Sequence, residues 1–127
     1  MEPNIIRTGN RDGDAVVRVE IANKRGVFVT MDAADYDAWV AAGRSTRFWL
    51  NRNGPLTGTY RVVYRDRSVA GGIAGVAREL LQPGPGRVVQ YRDQDRLNLC
   101  RRNLLVRSGR AKGQAVAPEF ADEIEDL

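Results

Sequence analysis

A run of two prolines and two glycines, Pro83-Gly84-Pro85-Gly86, divides the sequence into two parts that no single regular element can bridge. Four apolar residues just before this run recur at helical spacing: Val69, Ile73, Val76 and Leu80. The spacing predicts a helix that begins at a Ser68 cap and ends at the proline–glycine run. Gly71, Gly72 and Gly75 would each weaken such a helix by roughly 1 kcal/mol relative to alanine.

Short alternating segments near the N-terminus predict strands. Residues 15–21 place Val17, Val19 and Ile21 on one face, and residues 27–29 continue as a second strand after a turn. We therefore expect a small antiparallel sheet in this part of the chain.

A short helix is expected to follow these strands. Asp32 is suited to its N-cap and Asp35 to its first turn, and Gly43 marks its end. Three residues share the face that this helix should bury: Tyr36, Trp39 and Val40.

Residues 47–50 and 60–65 read as a hairpin around the turn Asn53-Gly54-Pro55. In the second strand, Arg61 and Arg65 share a face that we expect to be open to solvent. There they could touch a nucleic-acid backbone or be ordinary surface residues.

Composition excludes several classes of protein. A hydrophobic content of 43% is sufficient for one core, and no apolar run approaches the length of a membrane span. The first residues lack the pattern of a secretory signal. Cys100 is the single cysteine, so an internal disulfide and a cysteine-based zinc site are excluded. A cytoplasmic protein without membrane contact is the expectation.

Charge is distributed unevenly along the chain. The whole sequence carries +4, and from Arg87 to Lys112 eight basic and two acidic residues give +6. From Gly113 to Leu127 there are five acidic residues and no basic one, giving −5. A basic segment of this kind is typical of nucleic-acid binding, although a solvated charged face would look similar.

The segment from Gly86 to Leu104 resembles the core of HNH-type endonucleases of the phage and homing kind. In that family a short strand ends in Asp-His, an irregular loop follows, and Arg-x-Asn-Leu enters a second strand. Five residues match this pattern directly: Asp95, Leu97, Arg101, Asn103 and Leu104. Asn98 stands where an aspartate is usual, and Arg78 matches the arginine of the family's preceding helix. The resemblance extends loosely over most of residues 26–114.

This resemblance implies an α+β fold, in which a small antiparallel sheet with short helices is followed by a degenerate ββα-metal core. Asn103 and Asp95 would tie down the loop by hydrogen bonds to the backbone, and Leu97 and Leu104 would anchor its ends. We expect a flexible N-terminus at residues 1–14, a single HNH-like domain at 15–114 and an acidic tail at 115–127.

The chemistry of the family is missing, because the sequence contains no histidine. Gln90 and Tyr91 stand where the family has its metal-binding aspartate and its general base, and Lys112 aligns with the last metal ligand. Neither glutamine nor lysine suits a metal, and an ordinary tyrosine is a poor base at neutral pH. We expect no enzyme activity, no catalytic residue, no metal site and no cofactor. A new magnesium site formed by Asp66, Asp93 and Asp95 is the weaker alternative.

The first functional hypothesis is DNA binding without cleavage, with double-stranded DNA as the partner. The basic side chains expected to contact phosphates are Arg61, Arg65, Arg67, Arg87, Arg92, Arg96, Arg101, Arg102, Arg107, Arg110 and Lys112. Some of these arginines could instead pair with Asp93, Asp95 or the acidic tail.

The second hypothesis is a protein-interaction module, such as an inhibitor encoded by a phage or mobile element and built on an inactive nuclease fold. The acidic tail has an apolar stripe at helical spacing, formed by Phe120, Ile124 and Leu127. Such a stripe could bind a protein partner or fold back onto its own domain.

Overall fold

The computed structural model describes residues 4–52 and 60–108, which form three small antiparallel sheets and two short helices. The first sheet has the order β1-β2-β3, with strands Ile5–Gly9, Ala15–Glu20 and Phe28–Asp32. The second has the order β4-β5-β6, with strands Trp49–Arg52, Tyr60–Arg65 and Ile73–Gly75. The third is the hairpin of β7 (Arg87–Tyr91) and β8 (Leu104–Ser108). The α+β class expected from the sequence is confirmed.

The first sheet forms as the alternating pattern predicts. Val17 and Val19 of β2 lie opposite Met31 and Val29 of β3, and all four side chains are buried. Residues 5–9, which we expected to be part of a flexible N-terminus, form strand β1 against β2. All five residues of β1 are exposed, so no buried face imposed an alternating pattern on its sequence.

Helix α1 (Ala33–Ala41) follows β3 directly and packs on the first sheet. Tyr36 and Trp39 are buried as predicted, but Val40 is 48% exposed, so its predicted burial is wrong. Asp32 stands at the N-cap without capping through its side chain. Its carboxylate instead accepts the backbone N–H of Arg101 at 3.1 Å.

Strands β4 and β5 pair antiparallel, with Trp49 opposite Val63, which confirms the predicted hairpin strands. The turn expected at Asn53-Gly54-Pro55 lies outside the described residues. The face shared by Arg61 and Val63 is not open to solvent, since both side chains are buried. On this point the sequence interpretation is wrong.

The helix predicted from Ser68 to the proline–glycine run is present only in its second half, as α2 (Val76–Leu81). Gly71 and Gly72 have φ values of +86° and +73°, which a right-handed helix cannot contain. They form a turn, and residues 73–75 pair with β5 as strand β6. The helix does end before Pro83 as expected, at Gln82 in a left-handed conformation.

One cluster of buried side chains joins the three sheets and the two helices. The Trp39 ring is at its centre, edge to face with Phe48 and Tyr64 at centroid distances of 5.6 and 4.6 Å. The Trp39 indole N–H donates to the Ser45 carbonyl at 2.8 Å, so its polar atom is satisfied. Among the described residues, neither helix is long and apolar enough to cross a membrane.

Candidate nucleic-acid interface

The loop between β7 and β8 is tied down by Asn103, as the sequence predicts. The Asn103 side chain is buried; its Oδ1 accepts the Asp93 N–H at 2.9 Å and its Nδ2 donates to the Asn98 carbonyl at 2.9 Å. The loop therefore holds its shape through an amide that satisfies two backbone groups at once.

Asp93 and Asp95 also hold the loop in shape, because each carboxylate accepts a backbone N–H two residues further along the chain. Asp95 accepts the Leu97 N–H at 3.0 Å, and Asp93 accepts the Asp95 N–H at 2.8 Å. Although desolvation raises the pKa of Asp93, hydrogen bonds from Asn98 and the Asp95 backbone bring it below its ordinary value. The scaffolding role predicted for Asp95 is confirmed.

The loop also pairs with the edge of the first sheet. Thr30 of β3 donates its N–H to the Leu97 carbonyl at 2.8 Å and accepts the Leu99 N–H at 2.7 Å. Leu99 and Leu104 are buried, and Leu97 is half-buried against the core. The predicted anchoring by Leu97 and Leu104 is confirmed.

The resemblance to HNH nucleases places Gln90 and Tyr91 at the positions of a metal ligand and a general base. Gln90 and Tyr91 are half-buried near the end of β7, and the Arg96 guanidinium lies 5.3 Å from the centre of the Tyr91 ring. No ββα-metal motif is identified within residues 4–52 and 60–108. The helix that would complete one would follow Ser108, and Lys112 is likewise outside the described part of the chain.

The three aspartates of the alternative magnesium site do not form one group. Asp66 lies in the turn after β5, where its carboxylate accepts the Ser68 hydroxyl at 2.6 Å and the Tyr64 hydroxyl at 3.1 Å. Across the described residues, no three histidine, cysteine, aspartate or glutamate side chains converge as metal ligands.

Cys100 is a buried structural residue. Burial, followed by the nearby charge of Asp32, raises the pKa of its thiol to about 12. The thiolate is therefore scarce at neutral pH, which does not suit a nucleophile.

Arg61 does not lie at the surface, which corrects its place among the predicted phosphate contacts. It is 4% exposed, and a Cβ placed on Gly75 would lie 3.3 Å from its Nη1. The guanidinium is enclosed beside β6, so it cannot reach a phosphate without local unfolding.

Arg101 and Arg102 are already paired with acids, although not with those anticipated. Arg101 Nε donates to both carboxylate oxygens of Asp35, at 3.0 and 2.9 Å, and its Nη2 donates to the Leu80 carbonyl at 3.1 Å. Arg101 thus connects the 3₁₀ turn (Arg101–Asn103) to α1 and α2. The Arg102 Nε atom lies 3.6 Å from a carboxylate oxygen of Asp14, and the Arg102 side chain remains largely exposed.

Besides Arg101 and Arg102, five predicted contact residues are exposed: Arg65, Arg67, Arg87, Arg92 and Arg107. Within the described part of the chain, their side chains form no ion pair, hydrogen bond or ring contact. Arg87 and Arg92 lie at opposite ends of β7, with their Cα atoms roughly 16 Å apart at the usual rise of a strand. Arg110 is outside the described residues.

A cleft beside the second sheet brings Arg65 and Arg67 together with Arg47, which sequence reasoning missed. The cleft has a volume of about 560 Å³, and the described residues that line it are Gly43, Ser45, Arg47, Trp49, Arg65 and Arg67. We call this the arginine cleft. Continuing the observed pairing of Trp49 with Val63 by two residues sets Arg47 opposite Arg65, a register that the hairpin predicted from the sequence did not specify.

A second, larger groove runs between the β1–β2 turn and the β7–β8 loop, with a volume of about 630 Å³. Its charged lining is mixed, with the acids Asp12, Asp14, Asp93 and Asp95 and the bases Arg11, Arg18 and Arg102. This balance makes it a poorer site for phosphate than the arginine cleft.

Comparison with known proteins found no match among protein-family models, curated proteins or solved structures.

Proposed function

We propose that this protein binds DNA through exposed arginines and does not cleave it. The observation that carries the proposal is that Arg65, Arg67, Arg87, Arg92 and Arg107 are exposed and, among the described residues, have no carboxylate partner. Guanidinium groups free of intramolecular acids can pair with phosphates at little cost, and arginine suits this contact by its planar fork of donors.

The proposal includes an HNH-like scaffold that lacks the metal ligand and the general base needed for hydrolysis. It is supported by the strand–loop–strand path of residues 87–108 and by the hydrogen bonds of Asn103 and Asp95 within the loop. Gln90 and Tyr91, at the positions of the metal ligand and the general base, supply neither a charged ligand nor a base suited to neutral pH.

Duplex DNA incubated with the protein and magnesium tests both parts of the proposal. We expect retarded but uncut DNA on a native gel. The variant Arg87→Ala/Arg92→Ala/Arg107→Ala should bind more weakly, since it removes three charges from the β7–β8 hairpin.

Absence of retardation at low salt would overturn DNA binding. Cleavage that is abolished by Asp95→Ala would overturn the assignment of an inactive scaffold. The alternative of a protein partner for the acidic tail concerns residues 115–127, which lie outside the described residues, and it stays a prediction.

A further inference from the structure

We infer that the arginine cleft binds one unpaired nucleotide, with its arginines on the phosphate and Trp49 against the base. This inference rests on the proposed nucleic-acid binding and adds a substrate class to it, namely single-stranded segments or a base displaced from a duplex.

The charge of the cleft is not neutralised from within. None of the described residues that line it is acidic, and no described partner holds the Arg47, Arg65 or Arg67 side chain. Three like charges around one concavity repel one another, and an anion between them would relieve this repulsion. A phosphate diester provides that anion together with acceptor oxygens for the guanidinium donors.

The acids nearest in sequence to Arg65 and Arg67 are engaged elsewhere. Asp66, between Arg65 and Arg67, accepts the Ser68 N–H at 3.0 Å in addition to the two hydroxyl groups of Ser68 and Tyr64. These hydrogen bonds, with that of the Ser68 hydroxyl foremost, lower the pKa of Asp66. Glu79 forms an ion pair with Arg44 at 2.7 Å. The turn after β5 therefore leaves the two flanking arginines available.

Trp49 gives the cleft an aromatic wall. The other tryptophan, Trp39, is 3% exposed in the core, whereas Trp49 is half-buried and lines the cleft. A base can stack on an accessible indole whatever its sequence, and arginines alongside add attraction to the phosphate. An arginine–tryptophan pairing of this kind is a common feature of sites for unpaired nucleic acid.

The cleft is large enough for a single nucleotide. Its volume of about 560 Å³ lies within the range of roughly 300–1,000 Å³ that holds small ligands in proteins. A paired and stacked base in a duplex does not present its face to such a cavity, but an unpaired base does. We therefore expect single-stranded DNA to use the cleft more fully than duplex DNA does.

The test compares two variants that each remove three arginines: Arg47→Ala/Arg65→Ala/Arg67→Ala in the cleft, and Arg87→Ala/Arg92→Ala/Arg107→Ala in the hairpin. Binding of a thymidine oligonucleotide and of a duplex is measured by fluorescence anisotropy. We expect the cleft variant to lose roughly tenfold more affinity for the oligonucleotide than for the duplex. The hairpin variant should weaken both to a similar extent. Circular dichroism checks that each variant is folded.

Tryptophan fluorescence gives a readout that charge alone would not change. The oligonucleotide should quench the emission of the wild-type protein, and Trp49→Phe should abolish the quenching, because Trp39 is inaccessible in the core. If the oligonucleotide binds without quenching and the cleft variant loses no more affinity than the hairpin variant, the cleft assignment is wrong while nucleic-acid binding stands. If neither nucleic acid binds, the proposed function fails, and the cleft assignment fails with it.

Discussion

At the scale of single residues, several polar side chains of the β7–β8 loop bind the backbone rather than a ligand. Asn103 is the clearest case, because its buried amide joins Asp93 to Asn98 across the loop.

We expect Asn103→Ala to lower the free energy of unfolding by about 2 kcal/mol or more, since it leaves two partly buried backbone groups without partners. Urea unfolding measures this change. Arg92→Ala, an exposed change in the same loop, should stay within about 0.5 kcal/mol, and equal effects of the two changes would refute the role of Asn103.

Arg101 and Arg102 are neighbours in sequence but differ in role. Arg101→Ala would leave the carboxylate of Asp35, whose side chain is only 14% exposed, without its guanidinium partner. We expect a loss of about 1–2 kcal/mol in unfolding free energy for Arg101→Ala. Arg102→Ala should change stability by no more than about 0.5 kcal/mol, because its side chain is 73% exposed.

Thermal or urea unfolding of the two single variants separates these roles. A larger loss of stability for Arg102→Ala than for Arg101→Ala would contradict the account. The result also guides binding experiments, since weakened DNA binding by an Arg101 variant could reflect a displaced 3₁₀ turn rather than a lost phosphate contact.

At the scale of elements, the sequence was most informative where a buried face repeats. The alternation in residues 15–21 and the spacing of Tyr36 and Trp39 correctly predicted β2 and α1. Strand β1 could not be predicted in this way, because it buries neither face. The burial of Arg61 is a tertiary effect, and alternation alone assigns a strand face without showing what covers it.

The misplaced start of α2 has a local cause that can be tested. The spacing of Val69 and Ile73 imitates a helix, but Gly72 has a φ of +73° and forms the turn before β6. Gly72→Ala should cost about 1 kcal/mol or more, because an L-residue is strained in that conformation.

Gly9→Ala is the matched control for this change. Gly9 has no left-handed φ, and its added Cβ would meet only the Asp14 carbonyl at an ordinary distance of 3.8 Å. Its effect on unfolding should stay within about 0.5 kcal/mol. If Gly72→Ala and Gly9→Ala had the same free energy of unfolding, the left-handed conformation of Gly72 would not explain why the helix is absent before Val76.

At the scale of the whole molecule, the arginines predicted to contact phosphates have different surroundings within the described part of the chain. Folding buries Arg61, pairs Arg101 with Asp35, and separates Arg87 from Arg92 by the length of β7. It also adds Arg47 to Arg65 and Arg67, residues that are distant in sequence but line one cleft. Net charge along the chain predicts a nucleic-acid partner, whereas the location of candidate contacts required the register of β4 and β5.

The most direct test of the central claim is the affinity for labelled DNA in magnesium between about 50 and about 200 mM salt. Wild-type protein should bind without cutting, and the logarithm of its affinity should fall steeply and linearly with the logarithm of salt concentration. The slope should become shallower by up to about three in Arg87→Ala/Arg92→Ala/Arg107→Ala, about one for each phosphate contact removed. Affinity that is independent of salt, or no binding at the lowest salt, would contradict the proposal that these arginines bind DNA.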